Sequence, residues 1–234
     1  MTHNSFEDDL IQFFKSIKFP LYLVLSLWLV KCIEVLFEKN YVRYGIYPRE
    51  LDGLVGIITG PFVHGGFEHL VSNTFPLLFV TVMIQFFYKR ISVLITVITW
   101  LLTGILVWLF ARPAYHIGAS GVVYGLLGFI LWSGLFRRDA KAITLSLLVL
   151  AIYSTYFLGF EKTEGVSWES HLLGAVVGLL VAFVFRNVRE PEDVTIDEEN
   201  ITVERKKYFN PDTFEKSKYQ RWLENQLPPD YLQE

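Results

Sequence analysis

From Ser92 to Phe110 the chain runs for nineteen residues, SVLITVITWLLTGILVWLF, without one ionisable side chain. A hydrocarbon core about 30 Å thick takes roughly 20 apolar residues of helix to cross. A water-soluble globule is therefore excluded, and the wider composition agrees, with 52% hydrophobic and only 19% charged residues. A nucleic-acid binder is excluded too, because the formal charge is −3 and no dense basic patch occurs. The single cysteine, Cys32, rules out an intrachain disulfide framework, and no Cys/His cluster has zinc-site spacing. The first seventeen residues carry Glu7, Asp8, Asp9 and Lys15, and no small-residue cleavage site follows the first apolar stretch, so no cleavable leader is expected.

Six apolar segments have the length of spans: residues 21–37, 70–88, 92–110, 120–136, 142–160 and 168–185. In lipid every backbone polar group needs an internal partner, so each should be a helix. The expected fold is an all-α membrane protein with a six-transmembrane-helix bundle at 21–187. A cytoplasmic segment, 1–20, precedes it, and an acidic aqueous tail with four prolines, 188–234, follows it. Within that tail the stretch DTFEKSKYQRWLENQL has an apolar edge of Phe214, Trp222 and Leu223 and reads as a helix. Residues 40–69 are rich in Gly and Pro but keep Leu51, Leu54, Ile57, Ile58 and Phe62. They read as a structured first loop lying in the interface. Lys31 and Glu34, three apart in the first span, read as a pair across one helix turn.

Three spans carry polar groups that are costly in lipid and so mark candidate sites. The second opens with HGGFEHLVSN: His69 and Asn73 are four apart on one helix face, and His64 precedes them. Capping or headgroup contact would explain His64 and His69 equally. The fourth opens with HIGASGVVYGLLGF: Ser120 lies between Gly118 and Gly121, and Tyr124 and Gly128 follow near one face. The sixth reads SHLLGAVVGLL, which puts His171, Gly174 and Gly178 on one face. Small-residue stripes join membrane helices whatever else they do, and a buried, hydrogen-bonded histidine is a sufficient reading of His171 alone. Depth links the two. Ser120 stands about 25 Å above Arg137 and His171 about 22 Å above Arg186 at 1.5 Å per residue, so both sit shallowly below the outer face. If the fourth and sixth spans pack on their glycines, serine and histidine meet.

A serine becomes a nucleophile when an adjacent base takes its proton, and the oxyanion then needs preorganised donors. The Ser120 amide at a helix start, the Asn73 amide and the His69 ring are the available ones. No carboxylate lies near His171 within the spans, and Glu169, two residues away, points elsewhere. The expectation is a Ser–His dyad.

Together these residues resemble the rhomboid family of intramembrane serine proteases over about residues 44–185. The resemblance rests on H-x-x-x-x-H-x-x-x-N (His64, His69, Asn73), G-x-S-G (Gly118, Ser120, Gly121) and H-x-x-G-x-x-x-G (His171, Gly174, Gly178) on successive spans. It implies Ser120 as nucleophile, His171 as base, and an oxyanion hole of His69, Asn73 and the Ser120 amide. It also implies Tyr124 packed on the His171 ring, with Gly118, Gly121, Gly174 and Gly178 supporting. The fifth span with residues 159–167 would form the gate and cap. No cofactor and no metal are implied. The implied partners are transmembrane protein substrates, cut near the outer face, and the lipid bilayer. Many family members carry a Trp-Arg pair in the first loop; here that region reads GLVGIITGPF, with neither. Two other readings remain: a catalytically silent rhomboid-like adaptor that binds transmembrane helices, and a transporter or metal-binding protein using His64, His69 and His171.

Orientation follows from short-loop Lys and Arg. One side receives Lys15, Lys18, Lys89, Arg90, Arg137, Arg138, Lys141, Arg186 and Arg189; the other receives Lys39, Arg43, Arg49, Arg112 and Lys162. The richer side is the cytoplasm, so the expected location is a bacterial inner (plasma) membrane with both termini cytoplasmic. Tags fused at either end should be inaccessible from outside intact spheroplasts, and labelling of either would reverse the assignment.

Overall fold

The computed structural model describes residues 5–160 and 167–190, together with 217, 219 and 222. The chain divides into two units, 1–188 and 189–234. In the second, Tyr219 and Trp222 are exposed helical residues with ring centroids 6.1 Å apart. The rest of the expected tail helix lies outside the described residues.

The first unit is helical, and among its described residues the only extended pairing is a single antiparallel bridge between Ile46 and His116. In chain order the α-helices are α1 (Ser5–Leu36), α2 (Gly56–Thr59), α3 (Phe67–Phe87), α4 (Ser92–Phe110), α5 (Ser120–Arg137), α6 (Ala140–Tyr153) and α7 (Trp168–Val184). Among the described residues, four helices have the length and apolarity to cross a membrane: α1 from Phe13, α3, α4 and α5. The six expected spans thus appear as six apolar helices, with the short α2 added in the first loop. The first helix begins at Ser5, not near residue 21.

The fifth expected span, 142–160, is not one helix. The α-helix stops at Tyr153 and Ser154–Phe160 continue as 3-10 helix. Ser154, Thr155 and Gly159 are weak helix formers, which accounts for the change. Fourteen residues of α6 rise only about 21 Å. The seven 3-10 residues add about 14 Å, and only the two together match the hydrocarbon thickness.

Helix α5 is central. Of its apolar window 72% is buried, against 44% for α3, 33% for α4 and 28% for α1. It contributes Val123, Leu126 and Ile130 to the main core, where Leu70, Leu77 and Ile84 of α3 and Val177 and Val181 of α7 are also buried. Its closest packing is against α7, and it is backbone on backbone. A Cβ on Gly174 would overlap the Gly121 carbonyl oxygen, and one on Gly178 would overlap that of Gly125. Without a hydrophobic drive between helices in lipid, this approach is what dispersion and weak polar contacts need.

The first loop is tied to α4 by three side chains. Trp100 Nε1 donates to the Ile57 carbonyl (2.9 Å) and Trp108 Nε1 to that of Glu50 (2.9 Å). Arg49 donates to the carbonyls of Ala111 (2.8 Å) and Leu109 (3.3 Å) at the end of α4. Tryptophan and arginine thus do fix this loop, from other positions than the family's Trp-Arg pair. Leu51 and Ile58 face outward, as a loop lying in the interface requires.

If the α5–α7 contact sets stability, Gly174→Ala should lower the unfolding temperature in detergent, at a cost of about 1–3 kcal/mol for overpacking. Gly66→Ala should leave it nearly unchanged, because a Cβ there meets nothing within 4 Å. Equal melting of the two variants would contradict the close contact.

Candidate active site

The α4–α5 connection reaches Ser120 through Gly118, whose φ of +96° is a conformation side chains rarely adopt. The His69 ring lies where a Cβ on Gly118 would stand. Glycine therefore serves both the turn and the close approach. Ser120 is the first residue of α5, where backbone N–H groups lack intrahelical partners and the helix dipole favours negative charge.

His171 lies in the first turn of α7, across the glycine contact. Its Nε2 is 2.9 Å from Ser120 Oγ, and its Nδ1 is 2.7 Å from the Gly159 carbonyl oxygen. A carbonyl only accepts, so Nδ1 carries the proton and Nε2 presents its lone pair to the serine hydroxyl. Tyr124, one turn into α5, stacks on the imidazole at 4.2 Å with 14° between planes, and Phe160 packs against Tyr124 at 5.3 Å. The ring is thus held by a stacked aromatic and a carbonyl. The nearest acid in sequence, Glu169, turns away: both its oxygens accept from Arg112 at 3.0 Å.

Asn73 is buried, and its Nδ2 donates to the His69 carbonyl at 2.7 Å, while its Oδ1 is buried without a partner among the described residues. Ser120, His171, Tyr124, His69 and Asn73 all line one open cavity of about 810 Å³. Gly121, Gly174 and Gly178 lie in the helix contact beneath it. His64 does not reach the cavity. It is 1% exposed, packs edge-on against the His69 ring at 5.0 Å, and binds the Phe62 carbonyl through Nδ1.

Sequence reasoning passed over a second cluster at the cavity rim. His116 binds Ser167 Oγ through Nδ1 and the Arg112 carbonyl through Nε2, and the Ser167 hydroxyl also pairs with Ser170 at 2.6 Å. With the Arg112–Glu169 ion pair, it joins the α4–α5 connection to the start of α7. His116 stood two residues before Gly118 as a visible signal, but its side-chain partner Ser167 lies 51 residues away. Among the described residues, no three of His, Cys, Asp and Glu converge as metal ligands. The proposed cap residues 161–166 lie outside the described residues.

A family model described as "Rhomboid domain" matches residues 52–188. The chain is 37% identical over 171 residues to an uncharacterized protein of Mycobacterium tuberculosis, covering 69% of this chain and 71% of that one. It is 35% identical over 135 residues to RHOMBOID-like protein 4 of Arabidopsis thaliana, covering 53% of this chain and 32% of the plant protein. A Bacillus subtilis protein with a provisional rhomboid-protease name is 26% identical over 130 residues, 55% of this chain and 65% of that one. The chain belongs to the rhomboid family and is an integral membrane protein.

Two histidines outside the spans give the fold a pH dependence. Burial, with His69 nearby, pushes the His64 imidazole down to about 4. Burial also holds His116 below its ordinary 6.5. Both rings hold a proton less readily in the folded protein than in the unfolded chain, where they titrate near 6.5. Below that pH the unfolded chain binds more protons, so stability falls as pH drops, and the His64 share levels off near 4. The unfolding temperature should hold steady above neutrality and decline below pH 6.5. His64→Asn, which cannot charge, should flatten the slope; an unchanged slope would remove His64 from the account.

Proposed function

We propose that the chain is an intramembrane serine endopeptidase that cleaves transmembrane protein substrates near the outer membrane face, using Ser120 and His171 as a dyad. The observation that carries the reading is the 2.9 Å hydrogen bond between Ser120 Oγ and His171 Nε2, with Nδ1 held on the Gly159 carbonyl. In this mechanism His171 Nε2 takes the hydroxyl proton as Oγ attacks the scissile carbonyl carbon. The oxyanion is stabilised by the Ser120 N–H, the Asn73 amide and the His69 ring. His171 then gives its proton to the departing amine, leaving an acyl-enzyme on Ser120. A water, deprotonated by His171, releases the new carboxylate and restores the serine. The imidazolium formed midway is stabilised by the Gly159 carbonyl, where other serine hydrolases use a carboxylate. Tyr124 keeps the ring in plane for both transfers.

The adaptor reading draws on the glycine stripes. Those stripes are already filled by the α5–α7 contact, which leaves no open small-residue face there for a partner helix. In the protease reading the gate and cap would be the fifth span, α6 with the 3-10 segment after it, together with residues 159–167. Gly159 belongs to that segment, so movement of the gate also moves the group that orients the base.

The test is the initial rate of cleavage of a transmembrane substrate at equal folded protein. Ser120→Ala should abolish cleavage, and His171→Ala should nearly do so, since the two act as a unit. Asn73→Ala removes one oxyanion donor, worth up to about 10²–10³-fold in a soluble protease. Water reaching a shallow site should reduce that loss, so this variant should fall between wild type and the dyad variants. EDTA should change nothing. Substantial cleavage by Ser120→Ala would overturn the serine-protease reading.

A further inference from the structure

Lys31 and Glu34 of α1 have no part in the dyad, yet each is 8% exposed in a helix that reads as a span. Lys31 Nζ donates to Glu34 Oε2 at 2.8 Å and to the carbonyl of His64 at 3.1 Å. Glu34 Oε1 accepts from the backbone N–H of Tyr41 at 3.0 Å. The ammonium also lies 6.0 Å from the centre of the Phe67 ring. One ion pair thus ties together α1, the entry to the first loop and the turn that starts α3.

A buried ion pair returns little net stability, because desolvation offsets the attraction. Its physical consequence here is directional. The His64 carbonyl is held from α1, and the His64 ring is held by the Phe62 carbonyl. That ring packs against His69, whose own ring rests over Gly118, two residues from Ser120. The His69 carbonyl in turn holds the Asn73 amide. A continuous set of contacts therefore runs from Lys31 to the wall facing Ser120.

We infer that Lys31 and Glu34 are positioning residues for the oxyanion wall, fixing His69 and Asn73 relative to Ser120 through the backbone of His64. The inference rests on the protease reading above. It assigns the pair an effect on the transition state and none on substrate capture.

The experiment measures kcat and KM of the full chain on a transmembrane substrate, with unfolding temperature, for Lys31→Met, Lys31→Arg and Glu34→Gln. Each is made alone and with Asn73→Ala. Loosening a wall that positions a reacting group should lower kcat roughly tenfold in Lys31→Met and Glu34→Gln, with KM nearly constant. Lys31→Arg, which keeps the charge and the donors, should recover most of it. With Asn73→Ala already present the same changes should cost about twofold or less, because coupled groups do not add. Equal fold-losses in both backgrounds, unchanged kcat, or a loss confined to KM would overturn the inference. Should Lys31→Met fail to fold, Glu34→Gln and Lys31→Arg carry the same comparison. Ser120→Ala is run beside them: if it cleaves, the protease reading fails. If it is silent while the cycles are additive, only the positioning role fails.

Discussion

The contact on which this molecule depends is the meeting of two backbones, α5 and α7, at Gly121, Gly125, Gly174 and Gly178. A Cβ at Gly174 or Gly178 would overlap the α5 backbone and force the helices apart, and the separation would fall directly on the groups above. Ser120 begins α5 and His171 is in the first turn of α7. Their 2.9 Å hydrogen bond is therefore a consequence of how closely two helix axes approach one turn below. Lipid tails are as apolar as leucine, so no hydrophobic force draws these helices together. Surface complementarity between glycine-lined backbones sets the distance, and that distance is what a proton transfer between oxygen and nitrogen requires.

Much of this was legible because membrane helices announce themselves by length and by missing charge. The run Ser92–Phe110 is bounded in the structure at the residues where its polarity changes. The glycine spacing in α5 and α7 pointed to the face each presents, since a helix repeats every 3.6 residues whatever surrounds it. Where the reading went astray, the missing information was not periodic. An apolar run does not say whether its backbone is α or 3-10, so the change at Ser154 within 142–160 was hidden by uniform hydropathy. The start of α1 was hidden for the opposite reason. Charged residues such as Glu7 and Lys15 mark the edge of a hydrocarbon core but do not end a helix.

The candidate site divides along the same line. Ser120, His171, His69 and Asn73 stood out because each is a polar group in an apolar segment, and such groups are expensive. The rim cluster did not stand out. Arg112, His116 and Ser167 lie in polar connections and Glu169 in the first turn of α7, where such residues are ordinary, and the Arg112–Glu169 and His116–Ser167 pairings span more than fifty residues. Arg49 was equally silent. Only the structure reveals that it closes the end of α4 by donating to two carbonyls.

The partner of His171 Nδ1 bears most on how a protease of this build would be controlled. A buried carboxylate on a rigid element would orient the base permanently. A carbonyl at Gly159 orients it only while the 3-10 segment after α6 stays in place. A Cβ at Gly159 would overlap the Tyr124 hydroxyl, so the segment can approach the ring only because that residue is glycine. The same residue thus supplies one of the groups that hold the imidazole and lies against the other. In the proposed reaction, displacement of that segment would loosen the hydrogen bond that aims His171 Nε2 at Ser120. Catalysis would then require the segment to be in place, which makes its position a condition of how the base is oriented. Gly159→Ala should accordingly lower kcat more than it raises KM, with Ser120 still folded into α5. A change confined to KM would mean that the carbonyl plays no part in orienting the base.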